Sequence, residues 1–540
     1  MKLSMEGIRD VSDWLAAGVH LPSYDVAAAR QKAVESPRWV HFGIGNIFRV
    51  FIGGIADGLL RSGILDRGIT CVETFDFDVV EKIYRPYDNL GIQVILDSDG
   101  TREIRVLGSL AEAVKAQAAD SAQWNRLKEI FRAPSLQLVS FTITEKGYAL
   151  KTPAGDWLKD VAADLDKGPN EAVSAMGILT AMLHVRFLAG GIPIALVSMD
   201  NCAKNGLLLK NAVTAVAQQW QKSGFVSDAF LLWLKDEQTV AFNSTMIDKI
   251  TPRPSDSIAD DLEAMGIEAM RPVVTEKRTY IAPFINAERP QYLVVEDRFP
   301  NGRPALEKGF GVYMGDFDTV CKAERMKVTV CLNPAHTAVG PLGVVLGQER
   351  FADMLRDIPV TLKMAKQVIY SEGMPVVPDP GILSPKAFAD EVFQRFTNLY
   401  LGDTNLRLAT DASQGLAVRF GETIKAYMAR AGTAAGLTAI PLGIAGFFRY
   451  LKGIDDNGNS YELAPDPLAD EIHAALESVL LGKPETYVGQ LRPYLSNRNI
   501  FGVDLYDAGL GEKIEGMFTE MMAGPGAARK TVEKYMQSVL

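Results

Sequence analysis

Histidine and cysteine are scarce in this 540-residue chain, at five and four residues. Cys71, Cys202, Cys321 and Cys331 form no CxxC pair, and neither HExxH nor His-x-His occurs. That spacing excludes a thiolate zinc site and argues against a metal enzyme. A chain this long has no need of disulfide staples, so the cysteines are expected to be reduced thiols. Positive charge is not in excess either. The 56 Lys and Arg residues face 66 Asp and Glu, a net charge of −10, which speaks against a nucleic-acid partner. Continuous apolar runs such as residues 190–197 stop far short of the ~20 residues that span a bilayer. The opening MKLSMEGIRDVSDWL carries acidic residues and no apolar core, unlike a signal peptide. The expectation is a cytoplasmic protein with a small-molecule partner, no nucleic acid and no membrane.

Apolar residues are plentiful, at 47%, enough to fill more than one core. Length suggests roughly two to four domain-sized units. Residues 1–35 read as an arm punctuated by Pro22 and Ser23. Residues 38–42 form a short apolar strand ending at Gly43, after which Ile47, Phe51, Ile55 and Leu59 recur as on one helix face. A second apolar strand, 68–72, closes on Glu73, and the whole makes a βαβ unit. Further strands are expected at 92–96, 104–107, 136–143 and 192–198, with helices at 109–119 and 170–189. This alternation predicts a parallel, doubly wound α/β sheet. From Thr319 onward helix patterns dominate, with loops at 375–385 and at Ala464-Pro465-Asp466-Pro467. The expected organisation is an arm over 1–35, a dinucleotide-binding domain over 36–296 and a mostly helical substrate and catalytic domain over 297–540, with a cleft between the large domains. Apolar helix faces in the C-terminal half suit packing within the chain as well as an interface between copies, so no oligomeric state is assigned.

The glycine turn reads Gly43-Ile44-Gly45-Asn46-Ile47-Phe48-Arg49. Two glycines let the backbone turn tightly and approach a pyrophosphate, whose charge the following helix start stabilises. Phe48 takes the place of the usual third glycine, so the reading leans on the strand–turn–helix context and on Glu73. Gly43, Gly45, Asn46 and Arg49 are the candidate cofactor contacts. Glu73 would accept hydrogen bonds from the adenosine ribose and repel a 2′-phosphate, favouring NAD over NADP. Asp76 and Asp78 are substitutes for that role, and a plain solvated carboxylate is the alternative.

The densest chemistry lies in Glu324-Arg325-Met326-Lys327-Val328-Thr329-Val330-Cys331-Leu332-Asn333-Pro334-Ala335-His336. A lysine desolvated in an apolar helix suits general base work. Asn333 and His336, three apart, share a helix face and could hydrogen-bond one oxygen. The competing reading is a buried histidine with a structural partner and a lysine that snorkels to solvent.

Six blocks in order resemble the polyol-specific long-chain dehydrogenase/reductase family, which includes mannitol dehydrogenase, fructuronate reductase and tagaturonate reductase. They are GIGNIFR, TITEKGY (Thr142 to Tyr148), SMDNCAKNG (Ser198 to Gly206), NSTMIDKITP (Asn243 to Pro252), EDRFPNGRPALE (Glu296 to Glu307) and MKVTVCLNPAH (Met326 to His336). The resemblance implies a Rossmann-type domain followed by a mostly α-helical domain, and a metal-independent, NAD-linked dehydrogenase. It makes Lys327 the general acid/base. Asn201 and Asn333 become the pair that stabilises the developing alkoxide, and His336 orients a substrate hydroxyl. Glu324 resembles the family's glutamate on a water path for protons, and Asp248 and Arg407 match substrate-pocket positions. Read from the residues alone, Asn201 also suits an Asx turn. Asp248 and Arg407 equally suit a surface carboxylate and a domain-interface cation.

Two departures from the family pattern stand out. Asparagine and histidine usually follow the lysine by five and eight residues; here the offsets are six and nine. At roughly 100° per residue, nine residues turn His336 about 180° from Lys327 on a regular helix. One extra residue is what a π-bulge absorbs, and Pro334 cannot donate to the Val330 carbonyl, so an irregular turn is expected between Lys327 and His336. The second departure is Gly415, where the family commonly has lysine; Arg419 lies close enough to compensate. The TEKGY form, the NPxH variant and the ATDxSQ…RFGETIK block resemble fructuronate reductases, which implies interconversion of D-mannonate and D-fructuronate. A hexuronate carboxylate needs a cation such as Arg407, Arg419 or Lys204. Alternatives are a mannitol or arabinitol 2-dehydrogenase and a catalytically inactive nucleotide-binding homologue.

Overall fold

The computed structural model describes residues 1–97, 99–400 and 402–537, so positions 98, 401 and 538–540 of the expected domains lie outside the described residues. Contacts divide the chain into two units, Met1–Cys321 and Lys322–Leu540.

The first unit is built on a six-stranded sheet: β1 (Trp39–Phe42), β2 (Ile69–Glu73), β3 (Leu110–Lys115), β4 (Leu138–Phe141), β5 (Ile194–Ser198) and β6 (Val240–Asn243). The order is β3-β2-β1-β4-β5-β6 and every neighbouring pair is parallel. The chain winds outward from β1 to β3, returns beside β1 as β4 and winds outward again. The order therefore reverses between β1 and β4. All residues of β1, β2, β4, β5 and β6 are buried, as they must be when both faces of a parallel sheet are covered. Val40, Phe42, Val139 and Phe141 share one core with the helices Ser121–Arg132, Ala175–Leu188 and Asn205–Lys222. Trp39, Cys71, Leu138 and Val197 share another with the π-turn Phe48–Ile52 and the helix Gly53–Arg61. The side-chain caps Asp120 and Ser174 start two of these helices.

The expected doubly wound sheet is present, with three local corrections. Residues 109–119, expected as a helix, contain β3, because Leu110 and Val114 at helical spacing also fit a strand once β2 offers its edge. Residues 92–96 and 104–107 are strands but stand outside the doubly wound sheet. They fall in Gly91–Leu96 and Arg102–Leu107, an antiparallel pair flanked by Phe284–Ala287 and Val19–His20. β6 was not expected and completes the large sheet. Within residues 1–35, the helices Val11–Ala16 and Val26–Glu35 share a core with this smaller sheet through the buried Trp14 and Val26.

The second unit is helical, around a helix, Ala439–Leu451, that is buried along its whole length. Its first amides, from Thr438, Ala439 and Ile440, donate to the buried Glu372 carboxylate at 2.6 to 2.8 Å. The helical run Phe317–Val345 is long and apolar enough by composition to cross a membrane, and 72% of its most apolar window is buried within the protein. Continuous runs do not reveal it, because Asp318, Lys322, Glu324, Arg325 and Lys327 crowd its first half.

Candidate active site

Ligands of open α/β sheets bind at the carboxyl ends of the strands where the order reverses. Gly43 follows β1 there with φ +87°, and a Cβ would lie 2.2 Å from the Thr142 carbonyl oxygen, so only glycine fits. Gly45 has neither constraint: its φ is ordinary and a Cβ would meet nothing within 4 Å. Its missing side chain leaves bare backbone facing open space. Beside it, Asn46 Oδ1 is buried without a hydrogen-bond partner among the described residues. The bare backbone suits a pyrophosphate at a helix start, whereas the Asn46 oxygen, which only accepts, suits a ligand hydroxyl.

A polar chain absent from the sequence reading supports this turn. Trp39 Nε1 donates to Ser140 Oγ at 2.7 Å, and Thr142 Oγ1 donates to the Gly43 carbonyl at 2.7 Å. Between them His41 Nδ1 lies 2.6 Å from Ser140 Oγ and Nε2 lies 2.8 Å from Thr142 Oγ1. The indole only donates and the carbonyl only accepts, so Ser140 donates to Nδ1 and the Nε2 proton goes to Thr142. His41 is thus the neutral Nε2–H tautomer, and burial pushes its pKa well below the usual range. Phe48 stacks on its ring with centroids 4.1 Å apart. The available signal was polar residues at 41, 140 and 142 in otherwise apolar strands beside the turn.

Two expected cofactor contacts point elsewhere. Arg49 is 1% exposed, with its guanidinium donating to the Ala282 and Pro283 carbonyls at 2.7 and 3.0 Å, so it ties the turn to the smaller sheet. Glu73, 7% exposed, accepts the Thr74, Phe75 and Asp76 amides on Oε1 and the Ile44 amide on Oε2 at 3.4 Å. Burial raises its pKa, against the pull of these amides. Asp76 accepts Thr275 Oγ1 at 2.6 Å, and Asp78 accepts the Glu276 amide at 3.0 Å.

Asn201 is exposed in the turn after β5, next to the buried Asp200. Asp200 accepts the Ile143 and Thr144 amides and the Tyr148 hydroxyl, at 3.0, 2.8 and 2.6 Å. Buried Asn205 accepts the Thr245 amide at 2.9 Å and donates to the Asp200 carbonyl at 2.8 Å. Three of the family-like blocks are therefore stapled together at the strand ends. Asp248 is buried at the end of the strand Thr245–Asp248, opposite Tyr292. Lys204 is exposed at φ +51° before the helix Asn205–Lys222.

In the second unit Lys327, 4% exposed, lies in the π-turn Met326–Cys331. The Leu332 amide donates to the Lys327 carbonyl at 3.1 Å, a five-residue step, and Leu332 leaves helical geometry at φ −132°. A new helix, Asn333–Val345, then starts on Asn333 and Pro334. The extra residue between Lys327 and His336 is absorbed by the expected irregular turn. Glu324 sits half-buried three residues before the lysine. His336 Nδ1 is buried with no partner among the described residues. Burial, then the charges of Arg419 and Arg407, push its pKa down to about 3. Arg419, in the π-turn Ala417–Gly421, donates to Thr337 Oγ1 at 2.9 Å. Arg407, on the helix Asn405–Ala409, is ion-paired with Asp403, and its side chain is 66% exposed. Within this unit the helix bearing Asn333 and His336 neighbours the elements bearing Lys327, Arg407 and Arg419, and the Lys327 and Arg419 turns neighbour each other.

Strand order, reversal point and glycine turn make the first unit a Rossmann-type fold. The chain belongs to the mannitol dehydrogenase family: residues 37–308 match the mannitol dehydrogenase Rossmann domain and residues 320–522 the mannitol dehydrogenase C-terminal domain. A D-mannonate oxidoreductase of Thermotoga maritima is 48% identical over 537 residues, 99% of each chain. Pseudomonas fluorescens mannitol 2-dehydrogenase, solved as a ternary complex with NAD and D-mannitol, is similar over 100% of both chains, with TM-score 0.70 and 26% identity. A D-sorbitol dehydrogenase in substrate-free form shares the fold over 97% of this chain and 99% of its own, with TM-score 0.78 and 24% identity.

Proposed function

We propose that this protein is a cytoplasmic, metal-independent, NAD-linked oxidoreductase that interconverts D-mannonate and D-fructuronate. The observation that carries the reading is the 48% identity, along 99% of both chains, to a D-mannonate oxidoreductase. It is supported by the bare Gly45 backbone at the sheet's reversal point, which suits a dinucleotide phosphate.

The chemistry that bound NAD would supply is acceptance of a hydride in oxidation and its donation, as NADH, in reduction. The turn from Gly43 to Asn46 would hold its pyrophosphate, and Glu73, tied by its oxygens to the amides of Ile44 and of residues 74–76, would disfavour a 2′-phosphate by charge alone. Lys327 gives a proton to the carbonyl oxygen in reduction and takes it back in oxidation. At 4% exposure the amine is largely removed from water, which suits it to proton transfer. The Asn201 and Asn333 carboxamides donate to the developing alkoxide. His336, held neutral, offers one N–H and one bare nitrogen to a substrate hydroxyl. Glu324, near the lysine in sequence, serves proton passage to solvent. Asp248, Arg407 and Arg419 contribute to substrate binding.

The test is to mix the protein with NADH and D-fructuronate, follow absorbance at the nicotinamide band and identify the product. Stoichiometric NADH loss with D-mannonate formed is expected. No NADH loss with D-fructuronate, or turnover confined to uncharged ketoses, would overturn the reading.

A further inference from the structure

The two arginines whose charges bear on His336 differ in one respect that matters for substrate choice. Arg407 already has a counter-charge in Asp403, and its side chain is 66% exposed. Arg419 is half-buried, its single hydrogen bond among the described residues goes to the neutral Thr337 hydroxyl, and no carboxylate there pairs with it. Removal from water is a cost to such a cation, and desolvation does depress the Arg419 pKa. A guanidinium kept partly dry without an anion beside it is poised for one that arrives with a ligand. His336 Nδ1, buried and unpartnered in the same neighbourhood, is a further polar atom awaiting a ligand group.

Gly415 explains how the cation is seated. A Cβ at that position would lie 2.5 Å from Arg419 Nε and 2.7 Å from Cζ, so the guanidinium occupies the volume a side chain would take. Any larger residue at 415 must push Arg419 out of its place.

We propose that Arg419, lodged over Gly415 and steadied by Thr337, reads the substrate carboxylate and sets the preference for a sugar acid over an uncharged sugar. This rests on the hexuronate reading above and goes beyond it by choosing one cation among several. The acid supplies the missing counter-charge through a guanidinium–carboxylate pair, whereas a ketose leaves the cation unpaired.

The test compares kcat/KM for D-fructuronate and D-fructose in wild type, Arg419→Leu, Arg419→Lys, Gly415→Ala and Arg407→Leu. D-mannonate affinity with NADH present is measured by calorimetry, and melting curves check folding. The fructuronate-to-fructose ratio is expected to fall by ~10² in Arg419→Leu, by ~10 in Gly415→Ala, and by less in Arg419→Lys, since only the acid forms the pair that is lost. D-mannonate affinity is expected to fall in parallel. An unchanged ratio in folded Arg419→Leu, an equal loss on both substrates, or a collapse confined to Arg407→Leu would overturn the proposal. Calorimetry separates this failure from that of the function: D-mannonate binding lost in Arg419→Leu supports the carboxylate contact even where wild type does not turn over fructuronate.

Discussion

The glycine turn of the first unit and the lysine-to-histidine segment of the second are built on opposite principles. Around Gly43 the polar groups of His41, Ser140 and Thr142 are matched by protein partners, and the functional surface is what remains uncovered, the backbone at Gly45. Around His336 the helix is broken, and among the described residues a ring nitrogen is unpartnered and no anion pairs with Arg419. A rigid, satisfied frame suits a ligand bound in the same way at every turnover. Unmatched polar groups suit a site whose hydrogen bonds are completed by the substrate itself. The first region should therefore respond to substitution in cofactor affinity, the second in turnover and substrate selectivity.

Lys327→Ala should break the second region alone. Turnover is expected to fall by ~10³ or more, the range of a lost general acid/base, with the NADH dissociation constant within about twofold of wild type by fluorescence titration. If both quantities collapsed together, the separation between the regions would fail.

Gly43→Ala should break the first. The left-handed φ and the 2.2 Å approach to the Thr142 carbonyl predict a loss of ~2 kcal/mol or more in stability, read by urea unfolding, and weaker NADH binding in whatever fraction folds. Thr142→Val is subtler. It removes the donor to the Gly43 carbonyl while keeping shape, and is expected to raise the NADH KM about tenfold, with the sugar-acid KM unchanged, for about 1.4 kcal/mol. Thr142→Ser should restore it. An effect on melting temperature alone would reduce the His41 chain to a packing device.

The smallest expected effect is on pH dependence. Burial holds His41, His184 and His336 below their ordinary pKa, His336 at about 3. Below about pH 6.5 the unfolded chain binds protons that the fold refuses, so stability falls as pH drops from there toward about 3. Melting curves between about pH 7 and 5 should show this slope, set against the opposite contribution of the buried Glu73, Asp164, Asp200 and Glu372 carboxyls, whose pKa burial raises. His336→Asn should flatten the histidine part of it. Arg419→Leu removes one of the two charges depressing His336, so the His336 pKa should rise in nuclear magnetic resonance titration.

Much of the fold was legible because strands buried on both faces leave uninterrupted apolar runs; β1, β2, β4 and β5 all announce themselves this way. β3 did not, since it sits at the sheet edge and its Leu110-to-Val114 spacing also fits a helix. β6, only four residues long, gives too short a signal. The irregular helix was legible from an arithmetic mismatch, one residue too many between Lys327 and His336, and appears as the π-turn before Leu332. Side-chain direction was not. Arg49 and Glu73 have the charge and position of cofactor ligands, yet the distant Ala282 and Pro283 carbonyls claim the first, and amides just after β2 and in the glycine turn claim the second. The seat of Arg419 over Gly415 was equally hidden, because a glycine four residues from an arginine says nothing about which fills whose space until the helix path between them is known.

The central claim is that a dinucleotide turn and a proton-handling second unit reduce a sugar acid, and its most direct test is the wild-type ratio of kcat/KM for D-fructuronate over D-fructose with NADH. A ratio of ~10² or more is predicted, the discrimination available when a buried charge is left unpaired by the wrong substrate. A ratio at or below one would contradict the account and place this chain's chemistry on uncharged polyols.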